Sequence, residues 1–156
     1  MRWILNGALV CFASGCAVTP RADNPHREDY AMKRIVDAPT APNLPYSAAV
    51  VAGGLCFVAG QFGTDDDNRP VGDVERQTAI AIDHLANVLE RAGSSLDQVV
   101  RVTVWLKRLT DFEAMNRAYR VRFPKAPPAR VTISVSDLLF GADVELDAVA
   151  AVPERR

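Results

Sequence analysis

From Arg130 to Val135 apolar and polar side chains alternate without a break. Val131, Ile133 and Val135 fall on one side; Arg130, Thr132 and Ser134 fall on the other. A period of two belongs to a half-buried β-strand, so this stretch commits the chain to a sheet. Pro127 and Pro128 hold the backbone extended at the strand entrance. Arg130 therefore opens a strand with two hydroxyl residues behind it on the same face. A guanidinium is always charged, and its planar fork matches a carboxylate through two parallel hydrogen bonds. On this pattern Arg130 is either a surface arginine on an edge strand or a clamp for a small acid.

A second alternation runs from Asp143 to Val149, with Asp143, Glu145 and Asp147 on one face and Val144, Leu146 and Ala148 on the other. If these two strands are neighbours, Arg130 and Glu145 form a surface ion pair worth ~0–1 kcal/mol. Alternatively they flank a pocket, with Arg130 holding an acid and Glu145 handling a proton. Alternation alone leaves both open.

The other elements precede these strands. Ser47 to Ala52 and Leu55 to Ala59 are apolar runs joined by Gly53-Gly54, a hairpin signature, and Gly60-Gln61 closes the second strand. Thr64 to Gly72 reads as a surface loop. Asp73 is a plausible N-cap for a long helix whose stripe is Val74, Ala81, Leu85, Val88 and Ala92, widened by Ile82 and Leu89. Gly93 stands where a left-handed C-cap belongs. His84 reads as a solvated flank of that helix. Leu96 to Leu106 is a third strand, with Val100, Val102, Val104 and Leu106 as its apolar face. Thr110-Asp111-Phe112-Glu113 reads as a capping box that starts a second helix, with the stripe Phe112, Met115, Tyr119 and Phe123. Asn116 lies beside that stripe, where a solvated amide is the default.

The order ββαβαββ gives an α+β domain with two helices on one face of a mixed sheet. The other face then needs a cover. Trp105 and Cys56 are candidates for it, and self-association is the economical way to bury them.

Composition narrows the function classes. The chain has 156 residues, enough for one domain plus extras. Its net charge of −1 gives no footprint for nucleic acid. The two histidines and three cysteines have no metal-ligand spacing, so no metal site is expected. No glycine-rich phosphate loop is present.

The N-terminal segment stands apart. Arg2 precedes a short apolar run, Trp3 to Ala13, too short for a permanent span and suited to a signal-peptide core. Ala13-Ser14-Gly15-Cys16 resembles a bacterial lipobox, with alanine where leucine is usual. The expectation is a lipoprotein signal peptide over 1–15, a lipidated Cys16 as membrane tether, a flexible tether over 16–40 and a domain over 41–153. The location would be periplasmic or at the cell envelope. The alternative is a mis-assigned start codon on a cytoplasmic protein. Ile35 and Val36 are suited to a short strand at the end of the tether.

Taken together, the domain resembles the RidA/YjgF family of enamine/imine deaminases. Leu44-Pro45-Tyr46-Ser47-Ala48-Ala49-Val50 is similar to the family's GPYSQAV, and Phe57-Val58-Ala59-Gly60-Gln61 to its FVSGQ. Gly93-Ser94-Ser95-Leu96-Asp97-Gln98-Val99-Val100 resembles AGSSLDDVV, and Asp111-Phe112-Glu113-Ala114-Met115-Asn116 resembles DFxxxN. Pro128-Ala129-Arg130 matches PAR, and Val144-Glu145-Leu146-Asp147-Ala148 resembles VEIEA. The resemblance implies a chorismate-mutase-like fold, a homotrimer around a central barrel and clefts between subunits. It implies hydrolysis of 2-iminopropanoate or 2-iminobutanoate to the 2-oxo acid and ammonia, without cofactor or metal. By position, Arg130 would bind the substrate carboxylate and Glu145 would orient or activate water. Tyr46, Gly60, Asn116 and Thr132 would shape the pocket. Ala59 and Thr132 stand where serine and cysteine are frequent, and Leu138-Leu139-Phe140-Gly141 departs from the usual LPKGA-like turn.

Two other readings stay in play. One is a non-catalytic trimer that binds small carboxylates. The other is a related hydrolase for another small acid, such as an aminoacrylate. Endoribonuclease activity finds no support in the charge or in any aromatic–basic face.

Overall fold

The computed structural model describes residues 33–36 and 45–154. The expected signal peptide, Cys16 and most of the tether lie outside the described residues.

The sheet forms because the alternating stretches pair as their periodicity requires. It has six strands: β1 Arg34–Val36, β2 Ala49–Ala52, β3 Leu55–Phe62, β4 Val99–Leu106, β5 Ala129–Ser134 and β6 Val144–Ala151. Their spatial order is β1-β2-β3-β6-β4-β5. Only β4 and β5 run parallel, so the sheet is mixed. The short strand expected at Ile35 and Val36 is present and pairs with β2. Gly53 and Gly54 both have positive φ (58° and 76°) and turn the β2–β3 hairpin, the backbone that such a two-residue turn demands.

Helix α1, Val74–Ala92, has the expected caps. The Asp73 side chain accepts from the Arg76 N–H, and Gly93 closes the helix at φ 83°. Its predicted stripe is buried in full, and Ile82, Leu85 and Leu89 lose all contact with water. Each such side chain contributes about 1.5–3 kcal/mol relative to exposure. Helix α2, Phe112–Arg122, packs beside α1 and buries Met115 and Tyr119, with Phe123 buried just past its end. The two helices cover one face of the sheet. Val102, Val104, Leu106, Leu146 and Ala150 fill the layer between, all fully buried.

Several local expectations are corrected. A single 3-10 turn, Leu96–Gln98, precedes β4, which begins only at Val99. A register shift between Val99 and Arg101 then resets the alternation, so Val99 is buried and Val100 exposed. That is what an inserted residue does to a strand of period two. The capping box is absent: Asp111 caps α2 without a side-chain hydrogen bond, after a 3-10 turn over Leu109–Asp111. Cys56 belongs to the helix-covered core and is fully buried. Trp105 does lie on the open face, in register with Glu145 on one side and Ile133 on the other. Val131 and Ile133 share that open face and remain 40% and 43% exposed.

Candidate functional site

Arg130 sits on the edge strand β5, in register with Val102 on β4. Because Val102 is fully buried beneath the helices, Arg130 faces the helix side. Its guanidinium carbon lies 4.5 Å from the Tyr119 ring centroid and 5.7 Å from that of Phe112. Nη1 lies 3.8 Å from the Met115 sulfur. These contacts shelve the cation on α2. No carboxylate among the described residues pairs with it. The Tyr119 hydroxyl is buried with no partner among the described residues. Burial pushes its phenol up to about 12, against the opposing effect of the Arg130 charge, so it stays a proton donor. Asn116, on the same helix, is buried rather than solvated, and its amide makes no hydrogen bond to a described residue. Thr132 lies two residues along β5, half-buried on the Arg130 side. An unpaired cation on an aromatic shelf beside an unused amide has the chemistry to accept a small anion.

Glu145 occupies the other face. It stands on β6 opposite Trp105 and Phe62. Its carboxylate lies over Gly60, where a Cβ would come within 1.9 Å of Oε1. Gly60 falls in the irregularity of β3 between Val58 and Gln61. Burial raises the Glu145 carboxyl above its ordinary range, and the neighbouring Asp147 raises it further. Asp147 is itself engaged, accepting from the Thr103 N–H at 3.2 Å. A carboxyl held up by partial burial, with no cation beside it, is suited to proton transfer.

The backbone beneath Glu145 is fixed by a network the sequence reading missed. Gln77 of α1 is buried; its Nε2 donates to the Gly72 carbonyl at 3.0 Å and to Asp143 Oδ2 at 3.1 Å. The Asp143 N–H donates back to Gln77 Oε1 at 2.9 Å. Arg108 pairs with Asp143 at 3.0 Å. Gly63 makes the close approach possible, since a Cβ there would lie 2.2 Å from the Gln77 backbone. A signal was available: Gln77 and Thr78 lie on the same helical stripe as Val74 and Ala81, and a polar residue there needs buried partners.

Beside Gly60 opens a cleft of ≈ 620 Å³, bordered by Tyr46, Phe62, His84, Leu139 and Phe140 among others. Tyr46 is exposed at its rim. His84 is a cleft wall rather than a solvated flank: its Nδ1 lies 3.0 Å from the Phe62 carbonyl. A carbonyl only accepts, so Nδ1 carries a proton.

The predicted residues therefore fall into two groups. Tyr46 and Gly60 line the cleft, and the Glu145 carboxylate lies over Gly60 without lining it; Arg130, Asn116 and Thr132 gather at the edge of β5 under α2. The expectation that the strands of Arg130 and Glu145 are neighbours is corrected, since β4 lies between β5 and β6. Arg130 matches Val102 and Glu145 matches Trp105, three positions on and on the opposite face. The two side chains start about 10 Å apart across the sheet and about 10 Å along it. Within one chain they make neither an ion pair nor a common pocket. A site that uses both needs a second copy.

Comparison with known proteins places the family and the fold. The family model described as endoribonuclease L-PSP matches residues 36–152. A RutC family protein of Pyrococcus abyssi is 43% identical over 108 residues, 68% of this chain and 85% of that protein. RidA from an Antarctic Psychrobacter species superposes with a TM-score of 0.67 at 27% identity, covering 76% of this chain and 94% of that one. Escherichia coli TdcF, solved with bound serine, gives a TM-score of 0.69 at 25% identity, covering 76% of this chain and 98% of that one. With a family match over nearly the whole sheet and both helices, this chain belongs to the RidA/YjgF family.

Proposed function

We propose that this protein hydrolyses reactive 2-imino acids to 2-oxo acids and ammonia, in a homotrimer whose sites combine two copies. The observation that carries the proposal is the unpaired guanidinium of Arg130, shelved on Tyr119 and available to a carboxylate. Glu145 of a neighbouring copy then supplies the proton chemistry. The exposed apolar side chains of Val131 and Ile133, on the face opposite the helices, supply a reason to associate. Closed rings of identical copies bury such a face without leaving an edge free.

The chemistry needs little apparatus. Water adds to the imine carbon while Glu145 takes one of its protons. That proton passes to nitrogen, giving a carbinolamine; Glu145 then takes the hydroxyl proton and passes it to the amino group, so that the carbon–nitrogen bond breaks as the carbonyl forms and ammonia leaves a 2-oxo acid. Holding carboxylate and water in line gains through orientation. Proton transfer by a positioned carboxyl adds typically ~10²–10⁴-fold. Tyr46, Asn116 and Thr132 shape the pocket around the fixed carboxylate.

The test generates 2-iminopropanoate and 2-iminobutanoate in place with an amino-acid oxidase and traps remaining imine with semicarbazide. Faster imine loss that disappears in Arg130→Ala supports the proposal. No acceleration by a folded oligomer sinks it.

A second reading is a non-catalytic trimer that binds small carboxylates. The structure of a relative holding serine favours it. It predicts that 2-oxo acids bind at Arg130 while imine decay keeps its uncatalysed rate. Cleavage of RNA, suggested by the name of the family model, is disfavoured by the net charge of −1. For the N-terminal segment the proposal is lipidation at Cys16 and action at the cell envelope. Metabolic labelling with a radioactive fatty acid, lost in Cys16→Ser, is the check.

A further inference from the structure

The turn between β5 and β6 carries two apolar side chains that the fold has no use for. Leu139 is 68% exposed and Phe140 50% exposed. Phe140 adopts φ 62° and ψ 4°, the left-handed region that a bulky residue avoids. What holds it there is Phe62: the two rings meet edge to face at 87°, with centroids 5.4 Å apart, a favoured aromatic geometry. Phe62 in turn stands in register with Glu145 across β3 and β6. Leu139, Phe140 and Phe62 line the same cleft as Tyr46 and Gly60. The charged residues bordering that cleft have mixed sign, Asp65 and Asp66 against Arg91. They give no net preference for a charged group, and Asp65 is already engaged by Arg69 at 3.0 Å.

We infer that Phe140, backed by Phe62 and flanked by Leu139, is the specificity wall for the substrate's side chain, and that this protein prefers 2-imino acids bearing a large apolar side chain over 2-iminopropanoate. The inference rests on the deaminase reading and names its substrate class. With the carboxylate on Arg130 and the imine carbon at Glu145, the side chain has the cleft beside Gly60 to occupy. An aromatic ring and a leucine there reward each added methylene with about a 10- to 200-fold gain when it is buried well. A small imine leaves the wall wet.

The test measures kcat/KM for the imines of leucine and phenylalanine and for 2-iminopropanoate, each divided by its uncatalysed hydrolysis rate. The wild-type protein favours the large imines by at least about 10-fold. Phe140→Gly removes the ring while suiting the left-handed backbone, so the turn keeps its shape. It lowers that ratio about 10-fold, chiefly through loss on the large substrates, and Phe140→Leu recovers much of it. Leu139→Ala lowers the ratio in the same direction. A wild-type ratio near unity overturns the inference. So does a ratio that Phe140→Gly leaves unmoved, or a variant that instead dissociates the oligomer, which marks the ring as a contact between copies. If no imine is accelerated at all, the deaminase reading falls and the substrate class with it; acceleration without selectivity removes the specificity wall alone.

Discussion

A Cβ on residue 60 would lie 1.9 Å from Oε1 of Glu145, so the carboxylate occupies space that only glycine leaves open. The obstacle at this position is the far end of a flexible side chain. Gly63 is different, because a Cβ there meets the Gln77 backbone at 2.2 Å. Gly60→Ala is expected to fold with a stability loss below about 1 kcal/mol while displacing the carboxylate, and a shift of about 1 Å at a reacting group costs about 100-fold in rate. Gly63→Ala is expected to lose about 1–3 kcal/mol or more, as overpacking does. Thermal melts and imine-decay rates on both variants separate the two effects.

Glu145 can take a proton only as a carboxylate. Burial and Asp147 raise its value above the ordinary 4.5. Activity is therefore lost as the pH falls through that raised value, and the acid limb of kcat/KM lies above pH 4.5. Glu145→Gln is expected to lower the rate ~10²–10⁴-fold and to flatten that limb. The stability sign follows from the same shift. Ionising Glu145 costs the folded chain, so wild type carries a penalty on the neutral side that vanishes below 4.5. The glutamine variant should be no less stable than wild type at neutral pH, a difference that closes in acid. Rate profiles and melts on both sides of the window check this.

Arg130 is held by aromatic rings rather than by a carboxylate partner. Lysine keeps the charge but loses the fork and the stacking. Arg130→Lys is expected to lower kcat/KM about 10- to 100-fold, the worth of a charge-assisted hydrogen bond. The stability loss should stay near ~1 kcal/mol, the scale of a partly exposed cation–π contact. A variant that melts far earlier than this would mark Arg130 as a structural residue.

Ile133 and Val131 face away from the helices and stay exposed in the single chain. A lone charge there costs an isolated domain little, within about 0.5 kcal/mol. In an assembly that buries this face it is left without solvent. Ile133→Asp is expected to give a smaller species by sedimentation velocity, with imine hydrolysis lost in parallel. An unchanged oligomer would show that the open face is not where copies meet.

Much of this fold is legible in the sequence because periodicity and caps are local. The α1 stripe with Asp73 and Gly93, the Gly53-Gly54 hairpin and the parity of β5 and β6 are all set by residues a few positions apart. Three features are not local. The exposed Val100 follows from an irregularity against β6, which no pattern within β4 announces. The burial of Cys56 depends on which face the helices choose. The separation of Arg130 from Glu145 depends on β4 inserting between their strands, a matter of topology that alternation does not encode. Hence alternation leaves an ion pair and a shared pocket both open for Arg130 and Glu145, where the chain sets them on opposite faces of the sheet. Gln77 was legible in principle, as a polar residue on an apolar stripe.

The central claim is that Arg130 of one copy and Glu145 of another serve the same site. Subunit mixing tests it most directly. Arg130→Ala and Glu145→Gln are each expected to be nearly inactive alone. Co-expressed in equal amounts in one cell, they should form mixed trimers in which roughly a quarter of the sites pair an intact Arg130 with an intact Glu145. The account predicts that imine hydrolysis returns to roughly that fraction of wild type. If every mixture stays as inactive as its parents while mixed trimers are demonstrably formed, the two residues do not meet across copies and the shared site is wrong.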